Sequence, residues 1–159
     1  MAHEYRATIS WRRQESEDFA KGRYSRAHEW RFDGGTILAA SASPSVVPAP
    51  FSREDAVDPE EAFVASLSSC HMLTFIDIAR RAGIVVDSYE DEAVGTMERI
   101  APGKMSITLV TLRPRIAFQG ATPDPGKLDE LHHQAHEACF TANSVKTEIV
   151  IEPANDAST

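Results

Sequence analysis

The longest apolar stretch of the chain lies between Asp58 and Gly83 and carries its own start and stop signals. Asp58 suits an N-cap, Pro59 the first helical position and Glu61 the third, the arrangement of a capping box with Asp in the Ser/Thr role. Glu60 and Glu61 at one end and Arg80 and Arg81 at the other match the helix dipole. Gly83 is a natural stop. No Asp, Glu, Lys or Arg occurs between Glu61 and Asp77. Phe63, Val64, Leu67, Met72, Leu73, Phe75 and Ile76 would point in every direction around such a helix. This predicts a buried central helix over Asp58–Ala82. The apolar run is shorter than the about 20 residues that cross a bilayer, so no membrane span is expected. Cys70 falls in the middle of the helix, among apolar neighbours.

The remaining pattern is mostly of period two. Tyr5 to Arg12 alternates Tyr5, Ala7, Ile9 and Trp11 against polar residues, as a half-buried strand does. Arg13 to Gly22 is charged and reads as a loop. Tyr24 to Phe32 alternates again, Asp33-Gly34-Gly35 is a hairpin turn signal, and Thr36 to Ala40 would be the return strand. Pro44, Pro48 and Pro50 exclude regular structure from Ser41 to Ser52. Beyond the central helix, Val85 to Ile100 and Met105 to Phe118 read as two long strands joined at Ala101-Pro102-Gly103-Lys104, the second bent at Pro114. Leu128, Leu131, Ala135, Ala138 and Ala142 follow helical spacing and predict a second helix over Asp124–Ala142, stopped by Asn143. Val145 to Ile151 is the last strand. Strands, long helix, strand hairpin, helix and strand give an α+β class rather than alternating βαβ units. One domain over residues 1–159 is expected, with residues 153–159 as a disordered tail.

Composition narrows the partners. The chain has 159 residues and a net charge of −8, enough for a real core and unfavourable for nucleic acid or an anionic membrane. The start Met-Ala-His-Glu-Tyr-Arg does not resemble a signal peptide, which leads us to expect a cytoplasmic protein. Two cysteines in such a chain are not a disulfide scaffold. They are buried hydrophobes or a chemical pair.

Candidate chemistry is sparse. The sequence has no Gly-rich phosphate loop, no Cys-x-x-Cys and no nucleophile elbow. Each cysteine falls inside a predicted helix, and a buried cysteine taken alone is usually a small hydrophobe. On the second helix His132, His136 and Cys139 fall at i, i+4 and i+7, one face, which is a pattern that could hold a transition metal if Cys70 or His71 supplied further ligands. A solvated histidine cluster of His132, His133 and His136 is the simpler alternative. No cofactor is expected.

Asp58-Pro-Glu-Glu-Ala-Phe-Val-Ala-Ser-Leu-Ser-Ser-Cys70 resembles the Asn-Pro-Glu-x-Leu-x-x-Ala-x-x-x-x-Cys helix of the OsmC/Ohr family, the osmotically inducible and organic hydroperoxide resistance proteins. Ala138-Cys139-Phe140-Thr141-Ala142-Asn143 sits where that family has its second cysteine, with Phe140 in place of the usual proline. The resemblance implies the family fold, antiparallel sheets around a buried central helix with a second helix, in an intertwined homodimer. It implies a thiol peroxidase acting on organic hydroperoxides, with Cys70 as the peroxidatic and Cys139 as the resolving cysteine, and with Glu60 as the carboxylate that pairs with an arginine. A dithiol, a lipoyl group in the Ohr branch, would recycle the disulfide. Arg53, in the loop before the helix, matches the family arginine, with Arg12, Arg23 and Arg26 as competitors; the Ohr-type arginine lies near the first strand, where Arg12 and Arg13 stand. A non-catalytic scaffold or ligand-binding protein of the same fold is the other reading.

Elementary chemistry asks for the same set. A thiolate is the nucleophile, and apolar burial raises a thiol's pKa, so a nearby cation must offset it. Arginine stays charged, and a carboxylate orients it as a bidentate pair. His71, about a third of a turn from Cys70, is expected to be structural. Glu60 and Cys70 are ten residues apart on one helix, roughly 15 Å at the α-helical rise. If both serve one peroxide, Glu60 must come from a second subunit.

Overall fold

The structure, a computed structural model, describes residues 2–154. The chain divides into two compact units, Met1–Ala62 and Phe63–Thr159. In the first, β1 (Ala7–Ser10), β2 (His28–Phe32) and β3 (Ile37–Ala40) form an antiparallel sheet in that order. The predicted strands are present but shorter than their alternation suggests. Tyr24 is drawn out of the β2 pattern into an aromatic cluster with Trp11 and Phe19. Ser41 to Ser52 is irregular, as its prolines require. Ser41 N–H donates to the Val57 carbonyl and Val57 N–H to that of Ala39, which ties the loop to the sheet just before the long helix begins.

That helix, α1 (Pro59–Arg81), starts as expected. Glu61 N–H donates to Asp58 Oδ1 at 2.8 Å and Asp58 N–H to Glu61 Oε2 at 3.3 Å, a reciprocal box that satisfies two otherwise open donors. Arg80 and Arg81 both close back on Asp77. The expectation of burial on all sides is not met. Leu67, His71, Phe75 and Ala79 are buried, one stripe at every fourth residue, while Leu73 is 63% and Ile76 36% exposed. The reason is that all layers of the second unit pack on that stripe. By length and composition alone α1 is long and apolar enough to cross a membrane, so run length does not decide against it. A stripe packed on two sheets and a helix is what a core helix shows.

The strand pair after α1 is broken where one continuous hairpin was expected. β4 (Val86–Asp91) pairs with β7 (Pro114–Phe118), and β5 (Val94–Ala101) with β6 (Lys104–Leu112), all antiparallel but in two separate sheets. The break falls at Asp91 and Arg113 on facing strands. Asp91 Oδ1 accepts the Arg113 N–H at 2.6 Å, and its other oxygen accepts the Ser68 hydroxyl of α1. One carboxylate thus satisfies a ladder donor freed by the break and fastens it to the helix. β8 (Glu148–Ile151) joins β6 in parallel. The first half of α1 buries Leu67 against Val110 and Leu112 of β6, and the second half buries Phe75 and Ala79 against Ile116 and the second helix.

That second helix, α2 (Pro125–Ala138), is capped by the Asp124 side chain on the Lys127 N–H. It ends four residues earlier than expected. Cys139 is its C-cap with extended backbone, followed by a short 3-10 turn over Ala142–Ser144. Asn143 does stop the helix, but from outside, through Nδ2 donating to the Glu137 carbonyl at 2.9 Å. Of the expected disordered tail, residues 155–159 lie outside the described residues. Ala154 N–H donates to the Pro114 carbonyl, so the expectation does not hold for that residue.

Gly95 of β5 sits directly under α1. A Cβ there would lie 2.6 Å from Val64 Cγ2 and 3.4 Å from Ile107 Cγ2. Valine is short and stiff at χ1, so it cannot swing aside. Gly95→Ala is expected to destabilise the protein by about 1–3 kcal/mol, read from urea unfolding midpoints. In a Val64→Ala background the same change should be close to neutral, and equal losses in both backgrounds would contradict this packing.

Candidate active site

The second unit brings Cys70 and Cys139 together. Cys70 stands at the middle of α1, beside the buried stripe and half-buried. Cys139 is 1% exposed at the end of α2. Both are free thiols, and they lie close enough that each shifts the other's titration. The early end of α2 shapes the surroundings of the pair: the extended ψ of Cys139 turns the chain after it, so that Phe140 and Thr141 also face Cys70.

The two thiols are unlike. Burial pushes the Cys70 thiol up, but the Thr141 hydroxyl, the Thr141 N–H, the Cys139 thiol and the Phe140 N–H all favour the anion, and together they hold Cys70 below the ordinary thiol value. Cys139 goes the other way. Burial raises it, and the neighbouring Cys70 sulfur raises it further, against a partial offset from Thr141, whose Oγ1 lies 3.3 Å from Cys139 Sγ. The pair therefore shares its first proton loss unequally. Cys70 gives up its proton more readily than Cys139 does.

Cys70 opens into a cavity of about 620 Å³ whose walls include Leu73, Ile78 and Phe140. Asp77 and Arg81 line its far end, with the Arg81 guanidinium ion-paired to Asp77. They lie seven and eleven residues after Cys70, on the same side of α1. The sequence reading assigned Arg81 only to the helix dipole and missed both as cavity residues, although their spacing from Cys70 carried the signal. Thr141 was missed because a helix through Ala142 would have hidden it.

The expected arginine and carboxylate stand in the first unit. Arg53 forms a bidentate pair with Asp55, at 2.9 and 2.7 Å, and not with Glu60. Asp55 is two residues away in the same loop and reaches the guanidinium first. Glu60 is in the first turn of α1 and its side chain has no ion pair among the described residues. Of the competing arginines, Arg12 lines a shallow cavity with Arg53, Arg13 donates to loop carbonyls, and Arg26 lies over the Tyr24 ring at 3.7 Å.

The metal alternative loses its basis in the same way. The His132 ring uses Nδ1 on His71 Nε2 at 3.1 Å. Among the described residues no group of three or more His, Cys, Asp or Glu side chains is arranged to hold a metal ion. His71 and His132 are instead buried partners, both pushed down to about 4 by burial first, so both rings are neutral at neutral pH.

Fold and site together define a small α+β protein with a pair of unlike thiols at the meeting of two helices. Residues 52–154 match the OsmC-like protein family, and the chain belongs to that family. It is similar to an OsmC-like protein of unknown function from Vibrio cholerae O1 biovar eltor, with 53% identity, a TM-score of 0.92, and 96% of this chain and 99% of that chain covered. It shares its fold with an organic hydroperoxide resistance protein from Elizabethkingia anophelis (19% identity, TM-score 0.70, 96% and 95% covered). The same holds for the organic hydroperoxide resistance protein OhrB of Bacillus subtilis (20% identity, TM-score 0.69, 95% and 98% covered). No curated protein matches the chain.

If Thr141 supplies the hydroxyl that favours the anion, Thr141→Val should raise the Cys70 pKa. Thiolate absorbance at 240 nm against pH reads the shift, and alkylation of Cys70 by iodoacetamide at pH 7 should slow several-fold. An unchanged titration would remove Thr141 from the site.

Proposed function

We propose that this protein is a thiol peroxidase that reduces organic hydroperoxides, with Cys70 as the attacking and Cys139 as the resolving cysteine. The observation that carries this reading is the asymmetric thiol pair, a Cys70 held below the ordinary thiol value beside a buried Cys139 pushed above it. The Cys70 thiolate attacks the terminal oxygen of ROOH. The O–O bond breaks, an alcohol leaves with a proton, and Cys70 becomes a sulfenic acid. The Cys139 sulfur then attacks Cys70, the S–S bond forms, and water carries off the hydroxyl and the Cys139 proton. An external dithiol, such as a lipoyl group on a cytoplasmic protein, returns two electrons and restores both thiols. The apolar cavity walls favour alkyl hydroperoxides over hydrogen peroxide.

The reading includes a homodimer. Leu73 and Ile76 of α1, with Val94, Met97, Ile100 and Met105 of β5 and β6, are exposed apolar side chains, and a second copy would cover them. Glu60, about 15 Å along α1 from Cys70, would then serve the Cys70 of the other copy. Light scattering at micromolar concentration should give twice the chain mass, with an interface above about 2,000 Å². Leu73→Asp should weaken the dimer, and a monomeric wild-type chain would refute this part.

The chemistry is tested by two variants. Cys70→Ser should abolish turnover of cumene hydroperoxide, because a hydroxyl is no substitute for a thiolate. Cys139→Ser should consume about one equivalent and stop at the sulfenic acid or beyond, since no partner closes the bridge. Activity retained by Cys70→Ser would end the peroxidase reading. Full dithiol-driven turnover by Cys139→Ser would end the resolving role.

A further inference from the structure

We propose, on the reading that Cys70 and Cys139 form the redox pair, that His71 and His132 are positioning residues: their ring-to-ring hydrogen bond sets the register of α1 on α2 and so the approach of the two sulfurs. His71 directly follows Cys70 on α1. His132 stands two turns before Cys139, the residue that ends α2. The contact between the two rings is therefore the polar link nearest the thiols that joins the two helices carrying them.

The geometry of the contact is specific. His71 Nε2 and His132 Nδ1 are 3.1 Å apart, and the rings lie within 9° of parallel with centroids at 5.4 Å. His132 also stacks on Phe75 at 4.4 Å. The residues are 1% and 4% exposed. Both rings are neutral at neutral pH, so one nitrogen must donate and the other accept.

Such a contact specifies position in a way an apolar pair would not. Leu67, Phe75, Leu131 and Ala135 bury well over a range of small slides between the helices. A slide that parted the imidazoles would leave two buried nitrogens without partners, a large penalty in a dry site. The other nitrogen of His132 is itself buried without a hydrogen bond among the described residues, so the contact with His71 is the ring's one polar anchor there. A buried polar contact that is costly to misplace is the established way a core records register. Here the register decides whether the Cys139 sulfur meets Cys70.

The test reads bridge closure without peroxide. Reduced protein is equilibrated at pH 7 in dithiothreitol redox buffers, quenched with acid, and its Cys70–Cys139 disulfide is quantified by mass spectrometry. Wild-type protein should close the bridge. The double variant His71→Leu/His132→Leu keeps the core filled but removes the hydrogen bond. Its closing constant should fall at least about tenfold, equivalent to about 30 mV for this two-electron couple. His132→Asn keeps a polar atom near the Nδ1 position and should stay within about threefold of wild type. His132→Gln moves that atom outward and should fall with the leucine pair. If the leucine pair does not fold, the Asn and Gln variants decide the matter between them. Closure by the Gln variant or the leucine pair as readily as by wild type would overturn the proposal, as would an Asn variant that falls equally far. Wild-type protein that closes the bridge here but leaves organic hydroperoxides untouched would refute the peroxidase reading and keep this one. Wild-type protein that never closes it would overturn this one.

Discussion

The site depends on how one stripe of α1 is buried. Leu67, His71, Phe75 and Ala79 are the fully buried side chains of that long apolar helix, and the sheets and helix of the second unit pack over them. The sheet of β5, β6 and β8 takes the first half, and the pair of β4 and β7 with α2 takes the second. Covering one straight helix with both sheets requires the strand ribbon to break, and Asp91 satisfies the donor exposed at the break while binding Ser68 of the helix. Cys70 lies at the edge of the stripe, not on it. It is close enough to the core to meet the end of α2, and open enough to face a cavity.

The same arrangement solves the electrostatic problem of a reactive thiol. Burial alone would keep Cys70 protonated and inert. The chain answers with hydrogen-bond donors from the residues that follow α2, two backbone N–H groups and the Thr141 hydroxyl, rather than with a cation of its own unit against the sulfur. Backbone donors cannot be misplaced without unfolding the turn, so they are a dependable source of stabilisation for an anion. Placing Cys139 deeper than Cys70 makes the two thiols unlike, because burial raises the deeper one while the donors after α2 lower the shallower one.

Much of this was legible in the residues. The Asp58 capping box, the extent of α1, the irregular proline segment and the helix–strand order followed from local signals that tertiary structure had no reason to override. The segments Asp58–Cys70 and Ala138–Asn143 single out Cys70 and Cys139, and the structure sets them beside each other. What the sequence could not give was decided by long-range contacts. Val85 to Ile100 reads as one strand, and the break after Asp91 follows from packing both sheets on α1. Alanine-rich spacing continues through Ala142, but the helix ends at Ala138, where Cys139 is extended and the Asn143 side chain takes up the Glu137 carbonyl. The pairing of Arg53 with Asp55 instead of Glu60 is likewise a matter of which carboxylate a folded loop presents. The histidines of α2 looked like ligands or solvated charge, and one of them is a core residue because α1 supplies its partner.

The central claim is that the thiolate on Cys70 and the buried thiol on Cys139 act as one two-electron unit toward an organic hydroperoxide. The most direct test is the intact mass and peptide map of reduced wild-type protein after one equivalent of cumene hydroperoxide. The account predicts the loss of two hydrogens per chain and a single Cys70–Cys139 linked peptide, with both thiols lost together. Unchanged thiols, or a stable oxygen adduct on Cys70 beside a free Cys139, would contradict it.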